Sequence, residues 1–422
     1  MSDKKSKIRE QVKEQDIKFI KLQFVDLFGE LKNISITSGQ LERALDGSFM
    51  VDGFYIPGMH SLGQERLFLK PDLSTFAILP WRPQQGKVAR MLCDVTDDRG
   101  RDIAENPRHI LRRVLAKAEK DGLSFDIKPD CEFFLFSRDE NGHVTTHTGE
   151  KAGYLDVAPL DKGENARREL ILSLEDMGFE IESSHHELAP GQHSVRFKQR
   201  GGIRLADQIV TFRTTIRTVA ERHGLHATFM PKPRTDLPGS AMRLSMAVYK
   251  NGENLFAKQP DTALWFLAGI LKHQCGMTAF SNPIVNSYKR LKAVYYAPSE
   301  LYWSSRDHFA PLRLSKNETG DPCIEWTLPD GAANPYLVLA AVIAAGTEGI
   351  RKAMTPPPED EGRTPLPATL LEALHALRED DFLKKVCGEA FVDVYIKEKE
   401  LEWDRYSREV TDWERKEYLK RI

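Results

Sequence analysis

The strongest constraint on what this chain can fold into is the order of its strand-like and helix-like segments. They are interspersed along 422 residues without strict strand–helix–strand alternation. Strict alternation builds a parallel, doubly wound sheet, so its lack points to an α+β fold. Residues 17–25 read as a strand, and Leu27-Phe28-Gly29 turns the chain into a second over 31–36. Residues 76–80 and 88–95 add strands to a small, mostly β unit over 16–100, which closes at the turn-rich Asp98-Arg99-Gly100. A larger unit then occupies 105–422. Asn106 caps its first helix, Pro107 suits the first turn, and Ile110, Leu111, Val114, Leu115 and Ala118 share one apolar face up to Gly122. Helices over 165–177, 206–222 and from Asn334 to about 352 follow the same logic. Strands fall between them over 130–136, 180–183, 227–231, 242–249 and 324–328. The C-terminal stretch reads as charged, amphipathic helices, the last over 401–422.

Charge removes several classes of partner. Sixty basic residues against 62 acidic ones leave a formal charge of -2, with no electrostatic reason to expect nucleic acid or a membrane surface. No run approaches the ~18 apolar residues of a membrane span. The opening MSDKKSKIREQVKEQ is charged and lacks the apolar stretch of a secretory signal. Five dispersed cysteines, with no C-x-x-C pair, read as reduced thiols of a cytoplasmic protein rather than a disulfide framework or zinc site. No G-x-x-x-x-G-K-[ST] loop exists, so any nucleotide site must be built another way.

Four places carry residues suited to chemistry. Asp130 and Glu132, two apart on a strand, send both carboxylates to one face. That face is either a solvated edge, which spacing alone favours, or an interior where the acids must be paired or bind metal. His185-His186-Glu187 are ligand-type residues, though short His pairs are more often surface groups. Glu325 sits in the apolar context Cys323-Ile324-Glu325-Trp326-Thr327, either as a ligand or as a satisfied core carboxylate. Arg243 and Ser245 share one face of a strand, opposite Met242, Leu244 and Met246; that face lines a cleft or is simply solvated.

Taken in order, longer runs are decisive. Val51-Asp52-Gly53, Lys70-Pro71-Asp72-Leu73-Ser74-Thr75, Glu132-Phe133-Phe134-Leu135-Phe136 and Ser184-His185-His186-Glu187 are followed by Ala227-Thr228-Phe229-Met230-Pro231-Lys232-Pro233. Then come Asn286-Ser287-Tyr288-Lys289-Arg290-Leu291 and Pro329-Asp330-Gly331-Ala332-Ala333-Asn334-Pro335-Tyr336-Leu337. Over nearly its whole length the chain resembles type I glutamine synthetases, and its tail from Asp412-Trp413-Glu414-Arg415 is similar to the Gram-positive form. The resemblance implies an N-terminal β-grasp-like domain and a C-terminal catalytic domain with a curved antiparallel sheet flanked by helices. It implies a homo-dodecamer of two hexameric rings, with Asp52 reaching a neighbour's active site and the C-terminal helix clasping the opposite ring. It also implies ATP, Mg²⁺ or Mn²⁺, and phosphorylation of the glutamate γ-carboxylate before ammonia displaces phosphate.

Carried over residue by residue, the first metal falls to Glu132, Glu187 and Ser194, and the second to Asp130, Glu325 and Arg243. Ser194 stands where the Gly-Gln-x-Glu motif has glutamate, and Arg243 where Gly-Ser-Gly-Met-His has histidine. Arginine has no lone pair to give a metal. It is expected instead to pair with Asp130 and Glu325. Arg290, Gly239, Ser245 and Thr327 take substrate-facing positions, and Arg313 and Ser240 nucleotide-facing ones. Tyr296 replaces the flap glutamate, His308 the phosphoryl-contacting arginine, and Thr327 the arginine near the γ-carboxylate. The resulting expectation is a pseudoenzyme with weak or absent metal binding and lost or strongly reduced glutamine-forming activity, a regulatory or ligand-binding protein for an amino acid or nucleotide. The alternative is an active γ-glutamyl ligase using another amine or acid, with Phe54, Tyr55 and Tyr296 suiting a bulkier amine and His308, Tyr296 and His186 moving protons.

Overall fold

The computed structural model describes residues 2–82, 85–198, 201–292 and 298–422. Two large sheets organise the chain. The first has six strands from residues 17–96: Leu31–Thr37, Ile17–Val25, Lys87–Thr96, Arg66–Pro71 and Phe49–Asp52 in spatial order, with Ala77–Ile78 added beside Lys87–Thr96. Ile17–Val25 and Lys87–Thr96 run parallel, and the other pairs antiparallel. A helix over Ser2–Glu14 precedes them, seated by Ile8 and Val12, which lie four apart and are both buried. Reading that segment only for charge hid the helix.

The second sheet has nine strands and forms the floor of the larger unit. Its main path is Trp303–Ser304, Leu312–Lys316, Pro322–Trp326, Met242–Lys250, Leu123–Ser137, Gln192–Lys198 and Glu180–His186. All pairs along it are antiparallel except the first, so the α+β expectation holds. The central strand, Leu123–Ser137, is longer than the 130–136 expected. Its first half alternates buried and part-exposed, and residues 129–136 are all buried, so one strand carries two hydrophobic patterns.

Helices cover the sheet. Pro107–Lys120 begins at Asn106, whose side chain accepts from Arg108 N–H, and buries Ile110 and Leu111 as expected. Gly202–Arg222 packs Phe212 near Phe133 and Phe229. Asp261–Ser281, unmarked by any amphipathic stripe because it is buried on most sides, packs on Pro335–Lys352. Two glycines make that approach possible. A Cβ on Gly349 would lie 1.9 Å from the Trp265 carbonyl oxygen, and one on Gly269 2.1 Å from that of Ala345. Gly349→Ala is therefore expected to destabilise the protein by about 1–3 kcal/mol through overpacking, read as a lower denaturant midpoint. An unchanged midpoint would mean the helices can part at no cost.

The C-terminal helix expected over 401–422 is two helices, Glu389–Ser407 and Asp412–Tyr418. Thr411 interrupts it: its hydroxyl accepts from Glu414 N–H while the Glu414 carboxylate accepts from Thr411 N–H, restarting the helix with a capping box. No helix among the described residues is long and apolar enough to cross a membrane.

Candidate functional site

Strand register assembles the site. Along Leu123–Ser137, Lys128, Asp130 and Glu132 point to one face. Asp130 lies opposite Arg196 on one neighbouring strand and Arg243 on the other. Glu132 lies opposite Ser194. Ser245 faces both Lys128 and Glu325, and Glu325 faces Arg313. Four strands thus lay a patchwork of acids and arginines on one surface.

The hydrogen bonds pair these charges in an order that corrects the sequence expectation. Arg243 donates to Glu132, 2.7 Å from Oε1, rather than to Asp130 and Glu325. Asp130 accepts from Arg196 Nε at 2.9 Å and from the Ser194 hydroxyl. Glu325 accepts from Arg313 Nη1 at 2.9 Å. Glu187 is bonded to His185 Nε2 at 3.0 Å. The Ala241 N–H holds the second oxygen of Glu132 at 2.8 Å. Arg243, directly opposite Asp130, reaches instead to the more buried Glu132, where a charge gains most from pairing. Burial pushes the Glu132 carboxyl up to about 7, Arg243 opposes this, and Glu187 and Asp130 add to it. The acids around it, Glu132 first, hold the Arg243 guanidinium above its usual range.

A cavity of about 360 Å³ opens over this surface. Of the sequence-assigned positions, Glu132, Glu187, Gly239, Arg243, Arg290, His308, Arg313, Glu325 and Thr327 line it. Ser240 does not; it is fully buried beneath, within 3.2 Å of the Gln192 amide. Asp130 and Ser194 also lie under the lining, bonded to each other, and Ser245 is outside it. Asp52 sits in the first sheet, where it caps Phe54 N–H, and does not reach this chain's own cavity. Phe54 and Tyr55 are likewise exposed away from it. Tyr296 lies outside the described residues. His186 is turned away: it bonds Glu150 at 2.7 Å and the Glu187 carbonyl at 2.7 Å, so it has no path to a substrate as a proton carrier. Sequence reasoning missed Arg196, Tyr154 and Phe309, all on the lining. For Arg196 the signal was available, since it stands two residues from Ser194 and shares its face. Nothing local marks the two aromatics. A larger cleft of about 530 Å³ near Trp303 and Met354 has mostly apolar walls and lacks such an array of acids and arginines.

Behind the site, Glu150, Asp161, His186 and His193 bring potential ligand atoms within 4.8 Å of one another. Arg167 argues against a cation there. It donates to Asp161 at 2.7 Å and to His193 Nδ1 at 2.8 Å. Arginine only donates, so Nδ1 accepts and the ring proton sits on Nε2, which then has no lone pair for a metal. With Gly191 N–H also bonded to Glu150 at 2.6 Å, the cluster braces the turn that follows Glu187.

The sequence matches the family described as "Glutamine synthetase, beta-Grasp domain" over residues 16–98 and "Glutamine synthetase, catalytic domain" over 104–418. The chain belongs to the glutamine synthetase family. It is 45% identical to a glutamine synthetase of Clostridium saccharobutylicum, covering 97% of each chain. It is 41% identical to that of Staphylococcus aureus, covering 99% of this chain and 98% of the relative. Among solved structures it is similar to apo GmaS, with TM-score 0.88 and 30% identity over 98% of this chain and 99% of that one. A GmaS/ADP complex gives TM-score 0.87 at 29% identity over the same shares. The glutamine synthetase of Plasmodium falciparum, at 23% identity and TM-score 0.88 over 98% of each chain, shares the fold. The fold is therefore an N-terminal β-grasp domain followed by the family's catalytic domain, as the resemblance implied.

These relatives overturn the pseudoenzyme expectation. Curated proteins alike over nearly the full chain are named glutamine synthetase, which points to an active enzyme. The inference of inactivity rested on several substitutions at once; in the folded chain Glu132, Asp130, Glu325 and Glu187 each have a partner. Family membership implies use of ATP and a divalent metal. The residues here do not fit two metals held as the resemblance assigns them. Arg243 and Ser194 take two of the six ligand positions, and Arg243, Arg196 and Arg313 already engage Glu132, Asp130 and Glu325.

Proposed function

We propose that this chain is an active ATP-dependent ligase of nitrogen metabolism that joins the γ-carboxylate of glutamate to an amine larger than ammonia. The observation that carries the reading is the mouth of the cavity. Tyr154 and Phe309 are both on its lining and both more than half exposed. Tyr154 meets His185 edge-on, 5.7 Å between ring centres, and His185 bonds Glu187. An amine carrying a carbon chain or ring has apolar surface to bury there, whereas ammonia has none. The likeness to a GmaS/ADP complex supports a nucleotide as one of the ligands.

The chemistry is two displacements. The glutamate γ-carboxylate takes the terminal phosphoryl of ATP and ADP leaves; the amine nitrogen then attacks the acyl carbon and phosphate leaves. In this reading Arg290 orients the acid and Arg313 faces the phosphates, while Glu187 accepts the proton that the amine sheds. Metal binding is weaker than a two-metal set would give, so no step is assigned to it. The cytoplasm suits the five free thiols. A homo-dodecamer would cover Trp413 and Leu419, more than 60% exposed at the C-terminus, and would bring Asp52 to a neighbour's cavity.

Phosphate release with ATP and glutamate across a panel from ammonia to alkyl and aryl amines tests the reading. A larger amine is expected to give at least about tenfold higher kcat/KM than ammonia, in line with burying one or two methylenes. The names of the curated relatives favour a second reading, in which ammonia itself is the acceptor. Ammonia as the best amine would establish that one. For assembly, light scattering is expected to give a twelve-subunit particle, and a monomer would count against the proposed rings.

A further inference from the structure

The arginines of this site outnumber any need to hold the sheet together. Arg196 and Arg243 stand on the two strands flanking Asp130, each directly opposite it, so both guanidinium groups rise from one row of the sheet. Among the described residues, Arg196 bonds Asp130 through Nε alone and Arg243 bonds Glu132 through Nη2 alone. The remaining N–H groups of both are donors at the cavity lining. Arg290 and Arg313 line the same cavity. Four guanidinium groups thus stand against the carboxylates of Asp130, Glu132, Glu187 and Glu325. Glu132, Asp130 and Glu325 are each paired with one of these arginines, and unspent donors remain. Donors without acceptors around a cavity call for an oxyanion, and the fork geometry of guanidinium suits phosphoryl oxygens best.

We propose that Arg196 and Arg243 form a clamp for the terminal phosphoryl group of the nucleotide, supplying at the second metal position the positive charge that a metal ion would otherwise bring. The proposal rests on the ligase reading and deepens it. While the phosphoryl passes from the β-phosphate oxygen of ATP to the γ-carboxylate oxygen, the clamp holds its non-bridging oxygens. One bond to phosphorus breaks, one forms, and ADP leaves with the electron pair. Fixed N–H donors aimed at such oxygens need no reorganisation during transfer. Arg196, on an interior strand and outside the matched motifs, then becomes a phosphoryl-binding residue. It also follows that the nucleotide binds without the second metal.

The test is calorimetric binding of β,γ-imido-ATP to the full-length protein, with Mg²⁺ and with EDTA, for the native chain and for Arg196→Gln, Arg243→Gln and Arg243→His. Circular dichroism melts identify any variant that fails to fold; Arg196→Gln, at a half-exposed side chain, gives an independent arm. For the native chain, Kd is expected to change less than about fivefold between Mg²⁺ and EDTA. Each glutamine variant is expected to weaken binding in EDTA by about tenfold or more. Arg243→His is expected to bind well only with Mg²⁺, because imidazole restores a lone pair. Native binding that vanishes in EDTA, or glutamine variants that bind like the native chain, would overturn the clamp and leave the ligase reading standing. No nucleotide binding in either condition would sink both.

Discussion

Arg290→Gln is expected to lower kcat/KM for the acid substrate by roughly 10²–10³-fold, about 3–4 kcal/mol of lost stabilisation. Arg290 lines the cavity yet is almost fully buried. One terminal nitrogen donates to the Leu328 carbonyl, and Nε has no partner. Burial pulls this guanidinium below its usual range, and nearby Asp330 opposes the shift. A buried cation with an unused donor is poised for a carboxylate, and glutamine, neutral and shorter, offers neither charge nor fork. The loss should fall mainly on KM for the acid and leave KM for the amine nearly unchanged. The Gly239 backbone keeps the channel for this side chain: a Cβ there would lie 2.7 Å from Arg290 Cγ and 2.4 Å from the Pro231 carbonyl oxygen. Gly239→Ala should therefore reproduce part of the same KM effect. Steady-state kinetics with the acid and the amine varied separately decide the matter; a fall in kcat alone would assign Arg290 to the chemistry rather than to acid binding.

Arg108→Ala is expected to destabilise the fold by about 3–5 kcal/mol, the cost of leaving buried charges without their partner. Arg108, nearly buried at the start of its helix, joins three carboxylates. It meets Asp207 at 3.0 and 2.8 Å, Asp94 at 2.5 Å and Asp72 at 2.7 Å. Asp72 and Asp94 belong to the β-grasp part of the chain and Asp207 to a helix of the catalytic part, so the residue ties the two. Tyr336 donates to the same Asp207 at 2.6 Å and cannot supply the missing charge. Arg108→Met combined with Asp207→Asn should recover a portion of the loss, because the buried negative charge goes with the positive one.

The same cluster has a pH signature. Burial would raise the Asp72 carboxyl, but hydrogen bonds from Ser74 and Arg108 outweigh it and hold the group below its ordinary 3.8. A carboxyl depressed on folding adds stability above its unfolded pKa, and that stability is lost as pH falls through the folded value. The native chain should therefore keep its Asp72 contribution through mild acid and lose it below about pH 4. In Arg108→Ala the depression shrinks, and the acid limb of the stability profile should become shallower. Chemical denaturation between pH 3 and pH 7 measures both effects, and identical profiles for the two proteins would refute the assignment.

The sequence by itself determined the fold class, a few capped helix starts and the family. Those features are local: Asn106 with Pro107 and Asn334 with Pro335 announce helices through groups at the helix end itself, and both caps form as read. Runs such as Glu132-Phe133-Phe134-Leu135-Phe136 identify a lineage without any coordinates. Partnership was not legible there. Arg243 is far in sequence from Asp130, Glu132 and Glu325 alike, and only the register of the strands and the deeper burial of Glu132 decide which it takes. Arg196 gained its importance only when its strand was laid beside Asp130. The buried helix Asp261–Ser281 left no amphipathic trace because it has almost no polar face to show. Chain-local chemistry is written residue by residue, whereas charge pairing depends on distances between strands far apart in sequence, and those distances exist only in the folded protein.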